Sequence, residues 1–163
     1  MSTSRQIQTL AQLIAELQSR VPHHQFVNPA VSKGSVGWHI EHTLLTLNLV
    51  LDVIKKSDPA HYKARFDWRR LVVLLLGKIP RGRIKAPKMV QPTVQFNADT
   101  LQQHVLRAQQ NLAGMQQVSA QQFFTHPFLG DFKLKPALRF LQVHTQHHLN
   151  IINDILKKKQ EPV

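Results

Sequence analysis

The sequence predicts an all-α fold, an up-down-down-up four-helix bundle with an extra crossover helix. Three observations predict it. Apolar residues recur at three- and four-residue spacing in four long segments, the mark of helices that bury one face. No stretch alternates apolar and polar residues for long enough to signal a strand. The second and fourth helical segments are separated by residues 57 to 96. A crossover that long lets the helices on either side of it run parallel, which leaves the second and fifth antiparallel.

The first helix runs from about Ser4 to Arg20, with Ile7, Leu10, Ala11, Ile14 and Leu17 at helical spacing. A loop holding Pro22 and Pro29 follows. The second helix starts at Ser35 and runs to about Lys56, where Ser57-Asp58-Pro59 stops it. Asp58 then caps a third helix with Pro59 in its first turn, ending near Lys78. Pro80, Pro87 and Pro92 make residues 78 to 95 an irregular loop over the bundle. The fourth helix opens near Asn97 or Asp99 and carries the stripe Leu101, Val105, Ala108, Leu112, Met115. Ser119-Ala-Gln-Gln122 suits a short capped turn, and Thr125-His-Pro-Phe-Leu-Gly130 reads as a loop. The fifth helix, from Leu134, ends in Lys157-Lys-Lys159, cations suited to a helix C-terminus.

At 163 residues and 42% hydrophobic content, one domain with a genuine core is expected. The absence of cysteine excludes disulfides, thiolate ligands and a cysteine nucleophile. The first ten residues lack the apolar run of a signal peptide, and Leu71 to Leu76 is too short to cross a bilayer. A soluble cytoplasmic protein with no membrane partner is the expectation. The formal charge is +12, and Lys55 to Lys88 holds eleven Lys or Arg against Asp58 and Asp67. A solvated basic surface is the favoured reading. Duplex binding is less favoured, because Tyr62, Phe66 and Trp68 precede the basic loop and do not interleave with it. Alternatively, Arg81, Arg83 or Lys85 draws an anionic small-molecule substrate toward a metal.

The chemistry lies in the histidines. The fifth helix carries the stripe Ala137, Leu141, His144, His148, Ile151, Ile155, so two imidazoles four residues apart share the face that builds the core. In the second helix Trp38, His42, Leu45 and Leu49 step by four, three and four, and His42 again takes a core position. Three inward histidines on antiparallel helices suffice for a metal site with open positions. Neutral imidazole suits zinc, nickel, copper or iron, so the ligands do not name the metal. The bland alternative is a set of satisfied core histidines. His147 lies on a stripe that turns polar, with Asn150 and Asp154. His39 is a candidate partner behind a ligand, or an acid/base; His126 is a turn residue that could instead fold over the metal. His23, His24, His61 and His104 read as surface residues.

Four stretches resemble the DinB-like superfamily: Val36-Gly-Trp-His-Ile-Glu-His-Thr-Leu-Leu45, Gly77-Lys-Ile-Pro-Arg-Gly82, Thr125-His-Pro-Phe-Leu-Gly130 and Phe140 to Ile155. Together they span most of the chain, and the two histidine-bearing stretches are the most diagnostic. The resemblance implies the same bundle, commonly as a homodimer; independently, apolar residues of the first and fourth helices, including Leu13, Leu17 and Met115, are the candidate pairing surface. It also implies a divalent metal, zinc or nickel first, held by His42, His144 and His148. Relatives include metal-dependent thiol transferases, a mycothiol-dependent isomerase and hydrolase-like proteins, so a low-molecular-weight thiol is a candidate cofactor. The expected function is therefore a metal-dependent enzyme of this type. The alternative is a non-catalytic metal or small-molecule binding protein, or a stress-response protein.

Overall fold

The computed structural model describes residues 2–81, 86–92 and 96–157. It is mostly helical, with helices α1 (Thr3–Arg20), α2 (Val36–Lys56), α3 (Trp68–Leu76), α4 (Ala98–Ala113) and α5 (Leu134–Lys157). The first four helices each start at a side chain that satisfies a free backbone N–H. Ser2 Oγ accepts from Arg5 N–H at 3.3 Å and Ser35 Oγ from Trp38 N–H at 3.1 Å. Asn97 and Thr100 form a reciprocal box at the start of α4.

α1 packs on α5 and α4, and α2 packs on the same two helices from the opposite side. The core lies between them, with Leu10, Ile14, Leu17, Ile40, Leu44, Leu47, Leu51, Leu101 and Leu138 sealed from solvent. Each such leucine or isoleucine contributes roughly 1.5–3 kcal/mol of hydrophobic free energy. The stripes expected on α4 and α5 are buried throughout. On α2 the expected stripe is displaced: Trp38, Leu45 and Leu49 are only half-buried. Ile40, Leu44, Leu47, Leu51 and Ile54 form the apolar seam instead.

The face of α2 toward α4 is polar. His104 Nδ1 lies 2.9 Å from the buried carboxylate of Glu41, and Asn111 Nδ2 donates to Asn48 Oδ1 at 3.1 Å. Lys55 Nζ donates to Asn111 Oδ1 at 2.8 Å, and Arg107 pairs with Asp52 at 2.6 Å. Glu41 with His104, Asp52 with Arg107 and Lys55 with Asn111 rise together along the two helices.

Three expectations are corrected. The third helix is shorter than the proline signal suggests: Asp58 caps only a single 3-10 turn, Pro59–His61. The chain then runs extended, because Asp131 Oδ2 accepts the Lys63 N–H at 2.7 Å and its backbone carbonyl accepts from Arg70 at 2.7 Å. Asp67 caps α3 afresh, and Gly77 ends it in the left-handed region at φ 61°. The second correction is a small antiparallel hairpin, β1 (Phe123–His126) and β2 (Gly130–Lys133), where a loop and a connection were expected. Phe124 and Phe132 pair across it and stack on the core. Third, Leu13, Leu17 and Met115 are buried within the chain and leave no apolar surface for a partner. Of the loop expected over 78–95, residues 82–85 and 93–95, with Arg83 and Lys85, lie outside the described residues; Lys88–Val90 is one 3-10 turn.

Gly37 is the most tightly packed of the described glycines. A Cβ there would lie 2.4 Å from Phe96 and 2.8 Å from the His24 backbone oxygen, and that oxygen accepts the Gly37 N–H at 2.8 Å. Gly37→Ala is expected to destabilise the chain by about 1–3 kcal/mol through overpacking. Urea midpoints of the two proteins check this.

Candidate metal centre

α2 and α5 cross so that His39 faces His148 and His42 faces His144, which makes the two helices antiparallel at this level. His42, His144 and His148 are all buried, and one nitrogen from each lies within 4.8 Å of the other two. The three residues singled out by spacing are therefore brought together.

The hydrogen bonds fix which nitrogens face the cluster. His42 Nδ1 lies 2.7 Å from the Val90 carbonyl oxygen. A carbonyl only accepts, so Nδ1 carries the proton and the lone pair of His42 is on Nε2. That Nε2 is 3.2 Å from His144 Nε2. Two nitrogens each about 2.0–2.1 Å from a tetrahedral zinc lie about 3.3 Å apart, so the spacing suits a shared ion. His148 Nδ1 is engaged by His39 Nδ1 at 3.0 Å, which leaves Nε2 as its ligating nitrogen.

Burial keeps these rings neutral. It holds His144 and His148 well below the usual histidine range, with neighbouring imidazoles adding to the effect. His42 is lowered by burial and partly restored by its bond to Val90. His39 falls to about 4, first through burial and then through His42. Neutral imidazole is the form that ligates a metal. The set is also incompletely satisfied as a core network, because among the described residues His144 Nδ1 is buried without a hydrogen-bond partner. The donor set thus fits a divalent transition metal.

The other histidines separate as follows. His147 is half-buried beside the cluster, lowered by burial and by Arg81. His126 closes the hairpin turn: its Nδ1 accepts from the Phe128 and Leu129 N–H groups at 3.1 and 3.2 Å. Its ring packs on Phe140, which also packs on His144. It is thus a turn residue, outside the converging set. A cleft of about 480 Å³ between the hairpin turn and the start of α3 is lined by Arg65, Phe66, Trp68, Arg69, His126 and Phe128. His61 and His23 are exposed, whereas His104 is half-buried against Glu41. The Val90 carbonyl has no counterpart in any sequence signal, since every residue carries one. Glu41 was equally invisible as a partner for α4.

Among the described residues no helix is long and apolar enough to cross a membrane. No curated protein and no solved structure matches the chain. The family model of the DinB superfamily matches residues 3–152, taking in both histidine-bearing helices. That match covers nearly the whole sequence, and the chain belongs to the DinB superfamily.

Proposed function

We propose that this chain is a metal-dependent enzyme of the DinB type whose divalent ion, zinc or nickel, is held by His42, His144 and His148. One observation carries the reading. Neutral imidazoles from two helices converge, and Val90 fixes the His42 lone pair toward His144 at ligand spacing. A bound ion would supply Lewis acidity, polarising a substrate oxygen or stabilising a thiolate. The protein's own part is to present these nitrogens rigidly in a buried, low-dielectric wall. Transferase chemistry with a low-molecular-weight thiol, or hydrolysis, fits both the donor set and the family.

Parallel packing of α2 with α4 and antiparallel packing of α2 with α5 support the up-down-down-up arrangement in a single domain. The homodimer common in the family remains part of the proposal, through residues other than Leu13, Leu17 and Met115. Of the basic residues proposed to steer an anionic substrate, Arg81 is paired with Asp154 at 2.8 Å, which tempers its field.

Elemental analysis of tag-free protein, followed by zinc and nickel titration against a chromophoric chelator, tests the metal reading. About one equivalent bound per chain supports it. Lack of any binding by folded, metal-free protein at micromolar ion sinks it.

A further inference from the structure

Behind His148 runs a short chain of hydrogen bonds that ends outside the cluster. Ser32 Oγ lies 2.9 Å from His39 Nε2, and His39 Nδ1 lies 3.0 Å from His148 Nδ1. His39 and His148 are buried, while Ser32 is half-buried at the loop end. The serine is not free to wander. Its N–H bonds the Asn28 carbonyl at 3.0 Å, and its Oγ accepts the Gly34 N–H at 3.1 Å.

We infer that Ser32 and His39 are positioning residues that set the tautomer of His148, and so decide whether it can ligate. This rests on the metal reading given above. A neutral imidazole carries one proton, and a contact between two nitrogens uses one proton. The chain therefore has two directions. In one, Ser32 donates to His39 Nε2, His39 Nδ1–H donates to His148 Nδ1, and the His148 proton sits on Nε2. That nitrogen then has no lone pair for a cation. In the other, His148 Nδ1–H donates to His39 Nδ1, and His39 Nε2–H donates to Ser32 Oγ. His148 Nε2 is then bare and ready to bind.

Only a group able both to donate and to accept can end both directions, and a serine hydroxyl does so. In the ligating direction Ser32 Oγ accepts twice, from Gly34 N–H and from His39 Nε2–H. Without the hydroxyl that direction leaves a buried N–H with no acceptor, whereas the opposite direction leaves only an unused lone pair. A buried orphaned donor is the rarer and worse outcome. Removing the hydroxyl therefore favours the non-ligating tautomer.

The test is zinc competition titration of wild type, Ser32→Ala, Ser32→Thr and His39→Phe, with nitrogen-15 NMR of the histidine rings in the zinc-loaded wild type. Losing such an outer partner lowers metal affinity by about 10–100-fold, so Ser32→Ala and His39→Phe are expected in that range, with Ser32→Thr close to wild type. The wild-type spectrum should place the His148 proton on Nδ1. Wild-type affinity in both Ser32→Ala and His39→Phe would overturn the inference while leaving the metal site standing. A His148 proton on Nε2 in the loaded protein would overturn it without any variant. Absence of zinc binding by wild type would remove the metal reading and this inference together.

Discussion

Replacing His144 with Leu is expected to lower zinc affinity by more than about 100-fold, beyond the loss produced by removing an outer hydrogen-bond partner. His147→Leu should leave affinity within about twofold, because its ring lies beside the cluster and outside the converging set. Substitutions of the same size about one helical turn apart thus separate ligation from general packing. The fold should tolerate the change. His144 is one of two imidazoles in a buried stripe whose other members are aliphatic, and its Nδ1 finds no partner among the described residues. Leucine fills similar space and removes that unpaired atom, although it also leaves His42 Nε2 without its neighbour. These effects oppose each other, so the metal-free melting temperature should stay within about 4 °C of wild type. Unchanged zinc binding in His144→Leu would show that the cluster is only a core network.

Acidifying the metal-free protein should destabilise it before its carboxylates titrate. Burial holds His39 at about 4, and His144 and His148 well below the ordinary value of 6.5. The unfolded chain therefore takes up protons at these positions first, and stability rises with pH across that interval. The stability present above pH 6.5 is lost as pH falls toward 4. Each buried ring contributes at most about 1.4 kcal/mol per pH unit below 6.5, so the loss between pH 7 and 5 is roughly 2 kcal/mol per ring and on the order of 6 kcal/mol for the three. Chemical denaturation at the two pH values measures it. Saturating zinc should shift the acid transition lower, because ligation holds the rings deprotonated. Equal stability at pH 7 and 5 would contradict the burial of the cluster.

The α5 histidines were legible because that helix buries one well-defined stripe, and His144 and His148 interrupt it at strict spacing. His42 was found by a less accurate route. α2 is covered by α4, α5, the hairpin and the Lys88–Val90 turn, so it is buried on nearly every side. A helix buried on several faces has no single apolar phase, and Trp38, Leu45 and Leu49 were only one of several stripes to read. The third helix was overextended because Asp58-Pro59 is a true start signal with a distant competitor. The bond from Lys63 N–H to Asp131, 68 residues away, holds the following chain extended. The hairpin strands have four residues each, too few for alternation to build a pattern. Ser32 and Val90 reach the site only through folding, one by a hydroxyl and the other by a carbonyl.

The polar ladder between α2 and α4 bears on the metal site from the far side of α2. Parallel apolar helices can slip along each other, since one leucine substitutes well for the next. A slip of a single residue moves a helix by about 1.5 Å and also turns its side chains by about 100°. Glu41 would then leave His104, and Asn48 would leave Asn111, in the same step. The ladder is thus an index mark: it permits one axial position of α2, and with it one height for the His42 ring against the two rings of α5. Selectivity among ions differing by a tenth of an ångström in preferred bond length would then be tunable from residues that never approach the ion.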